Sequence, residues 1–382
     1  MTHAATLSKE ETLALKIRRA QQAQLLLTFG LIFILTMLLA LLLFGRVDQT
    51  QGIGVKVELP ALSTANSEPA SSATTPTPEP DGDPSQPPVQ RGLPARLDGL
   101  ITPFDDARIK IKLSPAPEPE LVMETENGPL PVISKDGRKP WQVYARPAPE
   151  GAAPKIAIML VGLGFDRQIT STAIDSLPPD VTLAFDVQSP VLGSWLYRAR
   201  QLGHETLLDI PAEPLDFPRN DAGPGSLLTS ISAAENVKRL QEHLKKGTGY
   251  VGLTTSSGAQ FMSDLDKVRP MLAEVNVRGL LWVDQNIAKR TAGMMAASAI
   301  RLPAVPESKR VQADMLPETV VQTLDEVLLE AQQNGYALGV VAANKMTIEQ
   351  LNLFLQTLAD KRGMLVPVSA LVPMVKNAPE GE

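Results

Sequence analysis

From Lys155 to Val368, short apolar runs alternate with amphipathic stretches, and this pattern limits the fold more than any other feature of the sequence. Apolar runs at 155–161, 181–186, 205–210, 250–255, 279–284, 336–342 and 364–368 are expected to be strands. Helices are expected at about 168–177, 191–202, 232–246, 264–275, 288–298, 317–334 and 347–362. The stretch 317–334 opens on Pro317, carries Glu318 in its first turn and is followed by Gly335, a start and a stop for a helix. Strands apolar on both faces, each followed by a helix, belong to a mainly parallel sheet that is covered on both sides. The two architectures that fit are a barrel and a doubly wound sheet, and both place ligands at the C-terminal ends of strands. Those ends carry Gly162 and Gly164, Asp186, Asp209 and Glu213, Thr254 to Gly258, Asp284 and Asn286, and Ala342 to Asn344.

The 382 residues are 43% hydrophobic, enough for a sizeable core, and the formal net charge of -6 argues against nucleic acid as a partner. Cysteine is absent, which excludes disulfides, thiolate nucleophiles and thiolate metal sites. The histidines are His3, His204 and His243. His3 is expected in the cytoplasm, His204 opens a strand on the side away from the strand ends, and His243 is expected on the solvated face of a helix. No two of them are placed to share a metal.

Before the alternating region, residues 25–45 read LLLTFGLIFILTMLLALLLFG without a charge. At 1.5 Å per residue such a helix spans roughly 30 Å, the thickness of a bilayer core. Lys9, Lys16, Arg18 and Arg19 precede it, while Arg46 alone follows closely, so the expected orientation has residues 1–24 in the cytoplasm and the remainder outside. Ser8 and Glu11 suggest a capping box at the start of a helix that continues into the span. Residues 46–107 are rich in Pro, Ser and Thr and are expected to form a disordered linker. A flexible coil of about 50 residues reaches roughly 40 Å. A lead-in segment, 108–153, is expected to begin with a strand at 108–113, to turn at Asn127-Gly128 and Asp136-Gly137, and to pack on the domain through Trp141 and Tyr144. The domain is expected at 154–375, with a tail at 376–382.

The strand ends resemble the divergent polysaccharide deacetylase family, an irregular β/α barrel. The resemblance covers roughly residues 125 to 373. Where the family has an apolar strand ending in Asp-Asp-Leu-Gly, this chain reads Met159-Leu160-Val161-Gly162-Leu163-Gly164. Its Gly-His-Glu-x-Leu-Leu-His-x-Pro-Met-Glu-Pro corresponds without gaps to Gly203-His204-Glu205-Thr206-Leu207-Leu208-Asp209-Ile210-Pro211-Ala212-Glu213-Pro214. Its Asn-Asn-His-Met-Gly-Ser corresponds to Thr254 to Ala259, its Phe-Val-Asp-Ser to Trp282 to Gln285, and its Gly-His-Pro to Ala342-Ala343-Asn344, with Thr347 following.

The resemblance implies a metal held by an Asp and two His, activating water against an acetyl carbonyl. At those positions this chain has Val161 and Gly162, Ser256 and Ala343. No metal and no cofactor are therefore expected. The candidate ligand-binding residues are Asp209, Glu213, Asp284, Asn286 and Arg301, the last as a partner for one of the carboxylates. Such carboxylates suit a hard cation, a glycosidase-type acid and base, or hydrogen bonds to sugar hydroxyls and loop amides. The expected protein is a single-pass inner-membrane protein with a periplasmic domain that binds cell-envelope polysaccharide or an envelope protein. The alternatives are a carbohydrate esterase or hydrolase that uses Asp209, Glu213 and Asp284, and a non-catalytic scaffold.

Overall fold

The structure is a computed structural model that describes residues 111–288 and 291–375. The apolar run 25–45, the tail before it with Ser8 and Glu11, the linker 46–107, the first half of the 108–113 strand and the tail 376–382 lie outside the described residues. Among the described residues no helix is long and apolar enough to cross a membrane. Residues 111–113 form no strand.

The lead-in segment forms a hairpin of β1 (Val122–Thr125) and β2 (Gly128–Pro131), turning at Asn127-Gly128. A parallel sheet of nine strands follows: β3 (Lys155–Leu163), β4 (Thr182–Asp186), β5 (Thr206–Asp209), β6 (Gly252–Thr254), β7 (Leu281–Asp284), β8 (Ala304–Pro306), β9 (Lys309–Val311), β10 (Tyr336–Ala342) and β11 (Met364–Val366). Its helices are α1 (Arg167–Ser176), α2 (Leu192–Gln201), α3 (Ala233–Leu244), α4 (Leu265–Val277), α5 (Gly293–Ala299), α6 (Pro317–Asn334) and α7 (Lys345–Thr357). Local chemistry sets their ends. Asp166 caps α1 by accepting from the Ile169 N–H at 2.9 Å. Asn344 and Thr347 close a reciprocal capping box on α7. Gly335 takes a left-handed turn after α6.

The strand order is β8-β7-β6-β5-β4-β3-β10-β9, so β8 and β9 stand at opposite ends of the path although two residues join them. The Trp282 N–H donates to the Pro303 carbonyl and the Glu307 N–H to the Asp284 carbonyl, tying the first half of this segment to β7. The Ser308 N–H then donates to the Leu338 carbonyl, and Lys309, Arg310 and Val311 pair with β10. One bent extended segment thus carries the sheet from β7 round to β10 and completes an irregular barrel. The edge of β3 is also shared: its start pairs with β11 and its later part with β4.

Side chains alternate across this wall. Ala157, Met159, Val161, Leu207, Leu281, Val283, Leu338 and Val340 fill the interior. Ile156, Ile158, Leu160, Leu208, Leu253 and Trp282 face the helices. The lead-in segment seals the end of the barrel where the strands begin. Arg200 donates to the carbonyls of Ser114, Tyr144 and Gly249, and its guanidinium lies 5.0 Å from the Tyr144 ring centroid. Buried Arg146 pairs with Asp180 at 2.9 Å. Glu205, fully buried, accepts from Ser369, Thr182 and the Arg146 N–H.

Candidate functional site

The interior layer at the C-terminal end of the barrel is polar. Asp186 ends β4 and Asp209 ends β5, and the two are register partners on adjacent parallel strands. They line a cleft of about 220 Å³ together with Ser256, Ser257, Asn220 and Pro214. Asp209 is 7% exposed. It accepts the Ser256 backbone N–H at 2.8 Å on one oxygen and the Ser256 hydroxyl on the other. Burial pushes its pKa up to about 6; the Ser256 donors and Arg310 oppose the rise, and the Asp186 charge adds to it. Burial also raises Asp186, held back by the Gln188 N–H and by Lys246. Arg310 is committed to Glu307 and to the Gln285 carbonyl. Around this opening the loops after β3 and β5 expose Phe165, Leu215 and Phe217.

The other expected site residues are placed differently. Glu213 accepts from the N–H and hydroxyl of Thr229, while its backbone bonds Leu227, Gln260 and Phe261. It holds two loops together. Asp284 points outward: Leu281 and Val283 occupy the interior, so the next residue faces the helix layer. There it accepts from the Thr291 hydroxyl and from the backbone of Asn286 and Met294. Gly293 has no side chain because an added Cβ would lie 2.2 Å from the Asp284 carboxylate. Asn286 is exposed, in a left-handed turn that returns its N–H to Asp284. Arg301, with positive φ, precedes β8 and therefore sits at the opposite end of the barrel from these carboxylates. Asp209 alone of the five lines the cleft. The partner it does find there, Asp186, is legible in the sequence as a strand end. Glu307 and Arg310 are not, because β8 and β9 are three residues each and carry no readable period.

The positions that the resemblance assigns to a metal do not fit one. Val161 faces the apolar interior, Gly162 supplies only backbone with φ +82°, and Ala343 offers a methyl group. Ser256 gives its hydroxyl to Asp209. His204 is fully buried between the Val181 and Ile174 carbonyls. Among the described residues, no group of three or more His, Asp or Glu side chains is gathered as metal ligands. What the cleft offers is a pair of acceptors, one of them close to neutrality, beside small polar residues and an apolar rim.

A family profile described as divergent polysaccharide deacetylase matches residues 158–372. Among solved structures, an uncharacterized protein from Agrobacterium tumefaciens C58 is 32% identical with a TM-score of 0.63, over 64% of this chain and 100% of that chain. A mutant of the peptidoglycan deacetylase PdaC from Bacillus subtilis is 14% identical with a TM-score of 0.33, over 59% of this chain and 93% of that one. A CE4 family pseudoenzyme from Bacillus anthracis is 11% identical with a TM-score of 0.31, over 58% and 66%. No curated protein matches the chain.

Proposed function

Because the chain belongs to the divergent polysaccharide deacetylase family, we propose that its barrel is a glycan-binding domain of a membrane-anchored envelope protein, acting without metal-dependent deacetylation. The observation that carries this reading is the pairing of a polar cleft at the barrel opening with side chains unsuited to metal at Val161, Gly162, Ser256 and Ala343. Asp186 and Asp209 accept hydrogen bonds from sugar hydroxyls, and Asn220 and Ser257 add short polar contacts. Phe165 and Phe217 present rings to the apolar faces of sugars. The uncharged run 25–45 and the basic residues before it support the anchor and a periplasmic placement of the domain.

The test uses the full-length protein in detergent. It should be retained on immobilised envelope polysaccharide and release no acetate from acetylated glycans with or without added zinc. Asp209→Asn should weaken retention at least fivefold. Zinc-dependent acetate release, or retention unchanged in the variant, overturns the reading. The raised pKa of Asp209 favours one second reading, a hydrolase with Asp186 and Asp209 as its acid and base. That reading requires new reducing ends that Asp209→Asn abolishes.

A further inference from the structure

One wall of the cleft is held differently from the others. The loop after β5 supplies Asn220 and Ala222 to the cleft, yet residues 215–221 are exposed. Both ends of this loop are fixed. Glu213 accepts from the N–H and hydroxyl of Thr229, and the Leu227 N–H donates to the Pro211 carbonyl. Between them, the Phe217 N–H donates to the Pro214 carbonyl and the Arg219 N–H to the Asp216 carbonyl, and both bonds stay within the loop. Among the described residues, no hydrogen bond or ion pair joins residues 215–221 to the body of the barrel. Few ties and full exposure mark a segment that opens at low cost.

Gln188, just after β4, ties the wall down. Its N–H donates to the Asp186 carboxylate at 2.8 Å. Its side-chain amide donates to the carbonyls of Ala222 and Pro224 at 3.0 and 3.1 Å. One residue thus holds both a carboxylate of the cleft and the loop that faces it. The approach is close: an added Cβ at Gly223 would lie 2.6 Å from Gln188 Oε1. Asp209 lines the same cleft and is nevertheless almost wholly buried. A ligand hydroxyl that reaches this carboxylate must displace part of the wall, and the untied segment is the part that yields most readily.

We propose that residues 215–222 form a hinged wall that opens to admit a ligand to Asp209, and that Gln188 is the latch that returns it to Asp186. Gln188 is a positioning residue, and the ligand it serves rests on the glycan-binding reading of the cleft. The charged groups that act on Asp209 are Asp186 and Arg310, while Asp216, Arg219 and Asp221 of the wall are exposed. The Asp209 proton therefore responds to the wall mainly through burial.

Tryptic cleavage after Arg219, in the full-length protein in detergent, reads the latch without a ligand. Gln188→Ala removes the donor, and Gln188→Glu keeps the length but only accepts. Each should speed that cut at least tenfold. In the Gln188→Ala background, the rise in thermal midpoint that Asp209→Asn gives at pH 7.5 should fall below half, because water then reaches the carboxylate. A side chain that only stabilised the fold would leave that rise intact. Retention on purified peptidoglycan should weaken at least fivefold in Gln188→Ala. Cleavage no faster in either variant, an undiminished rise, or equal retention of Gln188→Ala and the unaltered protein overturns the latch. Faster cleavage in both variants, with the unaltered protein not retained at all, overturns the glycan reading and leaves the latch standing.

Discussion

Asp209 and Asp284 show how much depends on which face of a strand a residue occupies. Both end strands and both are buried, yet one lines the cleft and the other meets the helix layer. The sequence makes each legible as a strand end but hides the face. Thr206 to Asp209 and Leu281 to Asp284 are buried throughout, so no alternation of polarity marks inside from outside. The pKa of Asp209 fixes the sign of a pH dependence. Its folded value near 6 lies above the ordinary carboxylate value, so the folded protein holds the proton more firmly. Its contribution favours the fold below about pH 4 and is lost as pH rises through about 6. Asp209→Asn should therefore raise the thermal midpoint at pH 7.5, by the equivalent of about 1–3 kcal/mol, with the gain fading near pH 4. Thermal melts of the two proteins across that range measure it.

The helices and longer strands follow closely from the sequence, because each has a period and a punctuating residue. Helix α6 runs from Pro317 to Asn334 as its proline start and glycine stop require, and β10 occupies 336–342 as expected. Strands β8 and β9 escape because Pro303 and Pro306 interrupt the run and three residues hold no pattern. Helix α5 begins at Gly293, later than the expected 288, where the chain can pass close to Asp284. Asp284→Ala should leave the Thr291 hydroxyl and the N–H groups of Asn286 and Met294 without an acceptor. A loss of about 1–3 kcal/mol in denaturant unfolding is expected. Glycan retention should stay unchanged, which separates this carboxylate from Asp209.

Across the whole domain, the lead-in segment and the C-terminal turns cover the end of the barrel opposite the cleft. The packing of Tyr144 is legible in the sequence as an aromatic in the segment that leads into the domain, but its fixing by Arg200 is not, because that contact joins residues 56 apart. Arg200→Ala removes donors to three carbonyls and the contact with the Tyr144 ring. Limited proteolysis should then cut near residues 114–124 at least tenfold faster, while a variant at the barrel opening leaves that rate unchanged. The segment shared between β7 and β10 has a consequence for how the protein behaves in company. In an open sheet the outermost strands present rows of unpaired amides and carbonyls on which a neighbouring chain can assemble. Here β8 and β9, the two ends of the sheet's path, are three residues long and bend into one another. Two copies brought together find little backbone to zip along at β8 and β9, so crowding should not drive assembly through these two edges.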